Sequence, residues 1–399
     1  MKILLLTQVL PYPPDSGPQV KTWNVLKYLS LKHEVTLVSF VRGDQTREVE
    51  HLKSICHQVF VVPMQRSLLS DALALLKSLF SGVPWVITRD HRQPMRRLVQ
   101  ALTQAEPFDV IHADQLNMAQ YAAASTGGLK VIDQHNALWL LYKRMAETQR
   151  PGPKKWLFER DWRLMRSYEG QICREFDRVI AVSEVDKAAI AEVAGNRQDI
   201  YVIPIAVDMD EVVPVQRAAA ASRIVHIGTM FWPPNVDGIL WFAREVLPLV
   251  RAQKPHVGFD IIGARPPEAV LRLAEADSDI RVTGFVTDIN AYLEQAGVLI
   301  VPVRAGGGMR VKILNQLSQE LPMVTTTIGC EGIQVVNGQQ VLVGDRPQDF
   351  ANAVLRILDD RTLADALGKA GRKLIAEQYD YRRVCSQLEC VYQDRTQLQ

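Results

Sequence analysis

Three consecutive glycines, Gly306, Gly307 and Gly308, are followed almost at once by Arg310 and Lys312. The apolar run 298–303 before them reads as a buried strand, and a helical pattern begins near Met309. Cations normally avoid the first turn of a helix, where free N–H groups already carry partial positive charge. Two of them there make sense if an anion, most simply a diphosphate, sits at that end. Glycines let the backbone approach such a group closely. The plain alternative is a glycine-rich turn with solvent-facing cations. Contiguous glycines do not spell G-x-G-x-x-G, and Lys312 lacks the preceding Gly and following Ser or Thr of a nucleotide-binding P-loop.

A second group of reactive side chains lies in the first half. His135, in VIDQHN, stands just past an expected strand at 130–133, and His112, Asp114 and Asp133 fall at neighbouring strand ends. Doubly wound sheets place ligands at that carboxyl edge, although a lone histidine is also compatible with a satisfied structural role. The pair Asp208 and Asp210 has the D-x-D spacing used by some metal-dependent transferases, but it falls in a connection rather than after a nucleotide-binding strand. Five scattered cysteines without a C-x2-C pair offer neither a zinc site nor a disulfide framework, which fits a reducing, cytoplasmic compartment. No metal or resident cofactor is expected.

These groups need elements to hold them. Short β-rich runs at 2–7, 34–40, 58–62, 109–112, 130–133 and 178–182 alternate with helical stretches, the rhythm of a doubly wound parallel sheet. A Pro- and Ala-containing connection at 203–222 follows, and the rhythm restarts at 223–227, 257–262, 280–282, 298–303, 323–327 and 341–343, with helices expected at 236–250 and 347–358. Length alone, 399 residues, allows two or three domains, each large enough for its own core.

Charge excludes some partners. Forty-six Lys plus Arg against 44 Asp plus Glu leave +2, too weak a field for a dedicated nucleic-acid binder. No apolar run approaches the roughly 20 residues needed to span a bilayer. Residues 151–166 are the most basic stretch, with Trp156 and Trp162 among Lys154, Lys155, Arg160, Arg163 and Arg166. They read either as a solvated helix with buried indoles or as peripheral membrane contact on anionic lipid.

The string GGGMRVKILNQLSQELPMVTTTIGCEGI closely resembles the donor segment of glycosyltransferase family 4. PYPPDSGPQVKTWNVLKYLSLKHEVTLVS, VSEVDK, HIGTMFWPPNVDGILWFAREVLP and GFVTDINAYLEQAGVLIVP resemble their counterparts in the same order, so the likeness covers nearly the whole chain. It implies an α/β GT-B fold: two facing Rossmann-like, doubly wound parallel-sheet domains with a C-terminal helix crossing back to the first. The implied boundaries are 1–205 for the acceptor side, 206–378 for the donor side and 379–399 for the returning helix.

The implied chemistry is metal-independent transfer, with retention, of a sugar from a nucleotide-sugar donor to a glycan, lipid-linked or small-molecule acceptor. On this likeness Lys312, helped by Arg310, neutralises the leaving diphosphate, and His135 hydrogen-bonds the reacting sugar. Gly17, Asp288, Gly307, Gly308, Asn315, Glu331 and Gly332 complete the donor site. The chain departs from the pattern at Asn315, where a carboxylate usually accepts from the donor ribose, and at Pro18, where a second glycine is usual. Two rivals stay open: a nucleotide-sugar epimerase, hydrolase or phosphorylase-like enzyme of the same fold, and, because of those departures, a non-catalytic nucleotide-sugar-binding protein.

Overall fold

The computed structural model describes residues 1–147, 149 and 151–393. The chain divides into two compact units. The first holds Met1–Ala206, Gly307–Met309 and the final helix, Tyr381–Tyr392; the second holds Val207–Gly306 and Arg310–Asp380.

The first unit contains a seven-stranded sheet: β1 (Lys2–Thr7), β2 (Glu34–Val41), β3 (Gln58–Pro63), β4 (Val110–Asp114), β5 (Leu129–Asp133), β6 (Arg178–Ala181) and β7 (Ile200–Val202), in the order 3-2-1-4-5-6-7. Every pairing is parallel; β1 runs from Lys2 opposite Glu34 to Thr7 opposite Ser39. Alternation along the strands fills two cores. Leu4, Leu6, Val38, Phe40, Ile111 and Ala113 point to one face of the sheet, and Ile3, Leu5, Val35, Leu37 and Val110 to the other. Both faces are buried, which is why these strands read as nearly unbroken apolar runs.

The second unit repeats the plan with β8 (Arg223–Ile227), β9 (Phe259–Ile262), β10 (Ile280–Gly284), β11 (Ala296–Val301), β12 (Met323–Thr325) and β13 (Leu342–Val343), all parallel, in the order 10-9-8-11-12-13. In each sheet the strand order reverses beside the unit's first strand, between β1 and β4 and between β8 and β11. Crevices at the carboxyl ends of such strands are where open α/β sheets take ligands.

Four details differ from the sequence reading. Strand β7 adds an edge to the first sheet. The helix expected over 236–250 is instead Pro233–Trp241, a π-turn at Phe242–Val246, and Leu247–Arg251. Pro248 has no N–H to give, and the wider turn, with Leu247 N–H bonded to Phe242 carbonyl, carries the chain past it. The helix after the glycines starts at Val311, with Arg310 capping it, because Gly306 and Gly308 adopt φ of 136° and 72° and prolong the loop. The helical spacing of Leu374, Ile375, Val384, Leu388 and Val391, which reads in the sequence as one apolar pattern, belongs to two helices. Leu374 and Ile375 are buried on Arg361–Gln378 in the second unit; Val384, Leu388 and Val391 are buried on Tyr381–Tyr392 in the first.

That last helix joins the core beside Gly17–Ser30, with Lys27 over the Tyr381 ring at 5.1 Å. Residues 394–399 of the expected returning segment lie outside the described residues. The connection at 203–222 has no regular element, although Val207 N–H bonds the Tyr379 carbonyl at 2.8 Å, pairing the entry to the second unit with its exit.

Candidate functional site

At the reversal point of the first sheet, β4 and β5 end in Asp114 and Asp133, and both carboxylates are buried. His135 Nε2 lies 2.9 Å from Asp114 Oδ1, and Thr22 Oγ1 donates to Asp114 Oδ2 at 3.0 Å. Asp133 is bonded by the Lys21 ammonium, itself only 2% exposed, and faces His112 Nε2 at 3.6 Å. The far side of His112, Nδ1, meets Tyr392 Oη of the final helix at 2.7 Å. Burial alone would raise the Asp133 carboxyl, but Lys21 and His112 hold it below the usual carboxylate range. The sequence-predicted group of His112, Asp114, Asp133 and His135 is therefore one connected cluster.

His135 also lines a pocket of about 220 Å³ with Gln8, Pro18, Gln115, Asn136 and Tyr142. Gly17 opens the helix that leads from this loop, and Pro18 occupies its first turn. Two buried carboxylates outside the sequence reading shape the pocket. Asp90 gathers Gln8 at 2.5 Å, Asn117 at 2.6 Å and Arg66 at 2.7 Å. Glu169 accepts the N–H groups of Leu138 and Trp139 at 3.1 and 2.8 Å, securing the helix Leu138–Glu147 that follows His135. Desolvation pushes its carboxyl up to about 8.

Asp114, Asp133 and His135 offer ligand atoms within 4.8 Å of one another, close enough to test for a metal. Lys21 holds Asp133 Oδ1 and Thr22 and His135 hold the two Asp114 oxygens, while Asp133 Oδ2 and His135 Nδ1 have no hydrogen-bond partner among the described residues; the buried ammonium beside the group opposes a second cation. The residues fit a preformed hydrogen-bond cluster rather than a metal centre. In the D-x-D pair, Asp208 Oδ1 accepts the Asp210 N–H at 3.1 Å.

The second sheet's reversal point has the opposite charge. His226, near the end of β8, donates from Nδ1 to the Ile300 carbonyl at 3.0 Å, and its buried Nε2 has no hydrogen-bond partner among the described residues. Lys312, at the second position of its helix, donates to Asn235 Oδ1 at 3.1 Å. A Cβ on Gly228 would lie 3.0 Å from Asn235 Nδ2, 3.1 Å from His226 Nε2 and 3.1 Å from Lys312 Nζ. Glycine is what leaves these groups converging on open space. Desolvation first and neighbouring Arg310 second push the Lys312 ammonium down to about 7, and burial next to Lys312 holds His226 well below the ordinary histidine range. His226 is thus neutral near pH 7, with a lone pair to offer. It and Asn235 escape a sequence reading because neither belongs to a charged or glycine-rich pattern.

Of the other expected donor residues, Asn315 is exposed one turn beyond Lys312. Glu331 and Gly332 form a half-exposed turn after β12, where Gly332 has φ of 82°. Asp288 lies apart, exposed after the edge strand β10 and accepting the Asn290 N–H at 2.9 Å. Gly307 and Gly308 group with the first unit, Arg310 and Lys312 with the second.

The basic stretch 151–166 begins the helix Pro153–Glu175. Most of its charge is used within the protein. Arg160 bonds Ser78 and Asp161, Arg163 pairs with Glu159 at 2.9 Å and covers Trp162, and Arg166 pairs with Glu192 at 3.1 Å. Trp162 packs on the core, while Trp156 is 62% exposed. No helix among the described residues is long and apolar enough to cross a membrane.

Two family models match this chain: one described as Glycosyltransferase Family 4 over residues 16–211, and one described as Glycosyl transferases group 1 over residues 221–360. An uncharacterized 44.6 kDa protein in the cps region of Klebsiella pneumoniae is 20% identical, over 97% of this chain and 98% of that one. Among solved structures, sucrose-phosphate synthase from Thermosynechococcus elongatus aligns with a TM-score of 0.72 at 16% identity, covering 100% of this chain and 99% of that one. Anabaena Alr3699/HepE in complex with UDP and glucose aligns at 0.69 and 16%, covering 98% and 99%. Two matched models along one chain, and whole-length likeness to such structures over two six- and seven-stranded Rossmann-like sheets, lead to one conclusion: the protein belongs to the group 1 glycosyltransferases of family 4 and has the GT-B fold.

Proposed function

We propose that this glycosyltransferase takes its sugar from a nucleoside-diphosphate donor and passes it, with retention and without a metal ion, to a hydroxyl of a glycan, lipid-linked or small-molecule acceptor. The observation that carries this reading is the state of Lys312 in the second unit. Lys312 is squeezed toward neutrality by burial and by Arg310, in the first turn of a helix, and among the described residues its hydrogen bond goes to the Asn235 amide oxygen rather than to a carboxylate. A diphosphate there relieves that strain and draws the proton back onto Lys312. The UDP and glucose held by Alr3699/HepE, a structure of the same fold, favour a donor of that class.

In the reaction the bond from the anomeric carbon to the diphosphate oxygen breaks, and its electron pair leaves with the diphosphate. The acceptor oxygen bonds the anomeric carbon, and its proton passes to the departing phosphate oxygen. Lys312 and Arg310 offset the charge that grows on the leaving group, a role metal ions fill elsewhere. His135, fixed by Asp114 and unpartnered at Nδ1 among the described residues, supplies a hydrogen bond to a sugar hydroxyl.

The test starts from a thermal-shift screen of nucleotide-sugars, because a ligand of the folded state raises the melting temperature. Transfer by the native chain and by Lys312→Ala is then followed with the hit donor, and product anomers are read by NMR. Lys312→Ala should lower turnover on the order of a hundredfold with the melting temperature retained. Unchanged kinetics, or donor conversion that needs no acceptor, would overturn the reading in favour of another GT-B chemistry.

A further inference from the structure

The helix Leu68–Ser81, in the first unit, is apolar on the side that faces water. Leu69, Leu73, Leu76 and Phe80 follow one another at helical spacing and are 79%, 65%, 52% and 85% exposed, with Leu68 at 91% beside them. The opposite side is the one that packs, through Ser78, Ala74 and Leu75. An isolated exposed leucine means nothing, but a stripe of this length does. At 1.5 Å per residue the helix is about 21 Å long.

Its surroundings fix the chemistry of what covers it. Arg160 of the helix Pro153–Glu175 bonds both the hydroxyl and the carbonyl of Ser78, so the two helices meet. Trp156 lies one turn before Arg160 on the same side and is exposed. Lys77 and Lys154 are exposed and Lys155 is half-exposed, whereas the one acidic residue of the stripe helix, Asp71, is half-buried. A leucine and phenylalanine ridge flanked by Lys77, with an exposed indole and Lys154 and Lys155 on the helix that meets it, matches the layered chemistry of a bilayer surface: acyl chains, then the interface, then anionic headgroups. A second copy of the chain fits less well, because a twofold contact on this ridge would bring the same lysines together from both sides.

We propose that the helix Leu68–Ser81, with Trp156 and the lysines 77, 154 and 155, docks the first unit on an anionic lipid surface. This assigns the membrane contact mainly to a helix outside the basic stretch 151–166. The full-length protein should co-sediment with vesicles of phosphatidylcholine containing roughly a third phosphatidylglycerol, and less so as salt is raised. Leu69→Glu, Leu73→Glu and Phe80→Glu combined should reduce the bound fraction more than about tenfold. Replacing the three lysines by glutamine should weaken binding several-fold and remove its salt dependence. Should the triple variant fail to fold, brominated lipid gives a second reading: it should quench fluorescence in the native protein, and Trp156→Phe should lose most of that quenching. No vesicle binding at low salt, binding unaffected by the triple variant, or quenching unchanged without Trp156 would each overturn the proposal. So would a dimer that the triple variant abolishes while native protein ignores vesicles.

Discussion

The two sheet-reversal points share a topology and differ in electrostatic state. In the first unit's cluster each buried carboxylate has a partner: Lys21 for Asp133, and His135 and Thr22 for Asp114. In the second, Lys312 has only a neutral amide among the described residues, Arg310 presses on it, and His226 is left neutral with a lone pair at Nε2. A compensated cluster sets shape and orientation, because nothing in it gains by binding a further ion. A lysine pushed toward neutrality holds a standing preference for an anion, which is the property a diphosphate site requires.

Removing a charge from each should therefore have opposite signs. Asp133→Asn leaves the Lys21 ammonium buried and unpaired, which costs about 3–5 kcal/mol of the first unit's stability. Lys312→Met removes a cation whose pKa in the folded chain, about 7, lies below its ordinary 10.5. The folded state then binds fewer protons than the unfolded state between those values, so native stability rises with pH across that window and is lowest below it. Lys312→Met should cost nothing in ligand-free protein and should raise stability most below pH 7, the gain fading toward pH 10.5. Urea titrations of both variants at pH 6 and 9 decide it, and a Lys312→Met protein markedly weaker at pH 6 would break the contrast.

The second effect is smaller and concerns binding. If a diphosphate restores the proton to Lys312, affinity for UDP should fall as pH rises above about 7, approaching tenfold per unit before the lysine's ordinary range is reached. Arg310 stays charged throughout, and His226 stays neutral in the free protein, so neither supplies that slope. Calorimetric titration between pH 6.5 and 9 measures it, and Lys312→Ala should flatten it. A native protein whose UDP affinity is flat over this interval would show that the lysine does not meet the phosphates.

The glycine run, its cations and most strands were legible because each is a local pattern: a period of two, a breaker, a charge at a helix start. The clusters were only half legible. Asp114, Asp133 and His135 announce themselves as polar residues at strand ends, but Lys21 sits mid-helix and reads as solvated until the fold buries it at 2% exposure. Asp90 and Glu169 lie on helices with no motif, and their partners come from segments far along the chain. The stripe Leu69, Leu73, Leu76 and Phe80 shows the opposite failure. Its spacing is that of a core-facing helix, and periodicity cannot tell a face turned to the sheet from one turned outward. The π-turn before Pro248 and the late start at Val311 are boundary effects set by one or two backbone groups.

The smallest expected effect probes the rim of the cationic site. Asn315 is exposed three residues beyond Lys312, at the position where the family resemblance implies a carboxylate for the donor ribose. Asn315→Glu should tighten UDP binding by about three- to tenfold, since a charged acceptor forms a stronger hydrogen bond than a neutral one. The same carboxylate, three residues along the helix from Lys312, would also favour that lysine's protonated form and strengthen phosphate binding without touching the ribose. The two routes separate cleanly. A gain made at the ribose disappears when UDP is replaced by its 2′,3′-dideoxy analogue and leaves the pH slope where it was. A gain made through Lys312 survives the analogue and moves the fall in affinity to higher pH. Weaker binding of both ligands at equal stability would mean that Asn315 faces neither group, and the second unit's site would then rest on Lys312, Arg310 and the helix start alone.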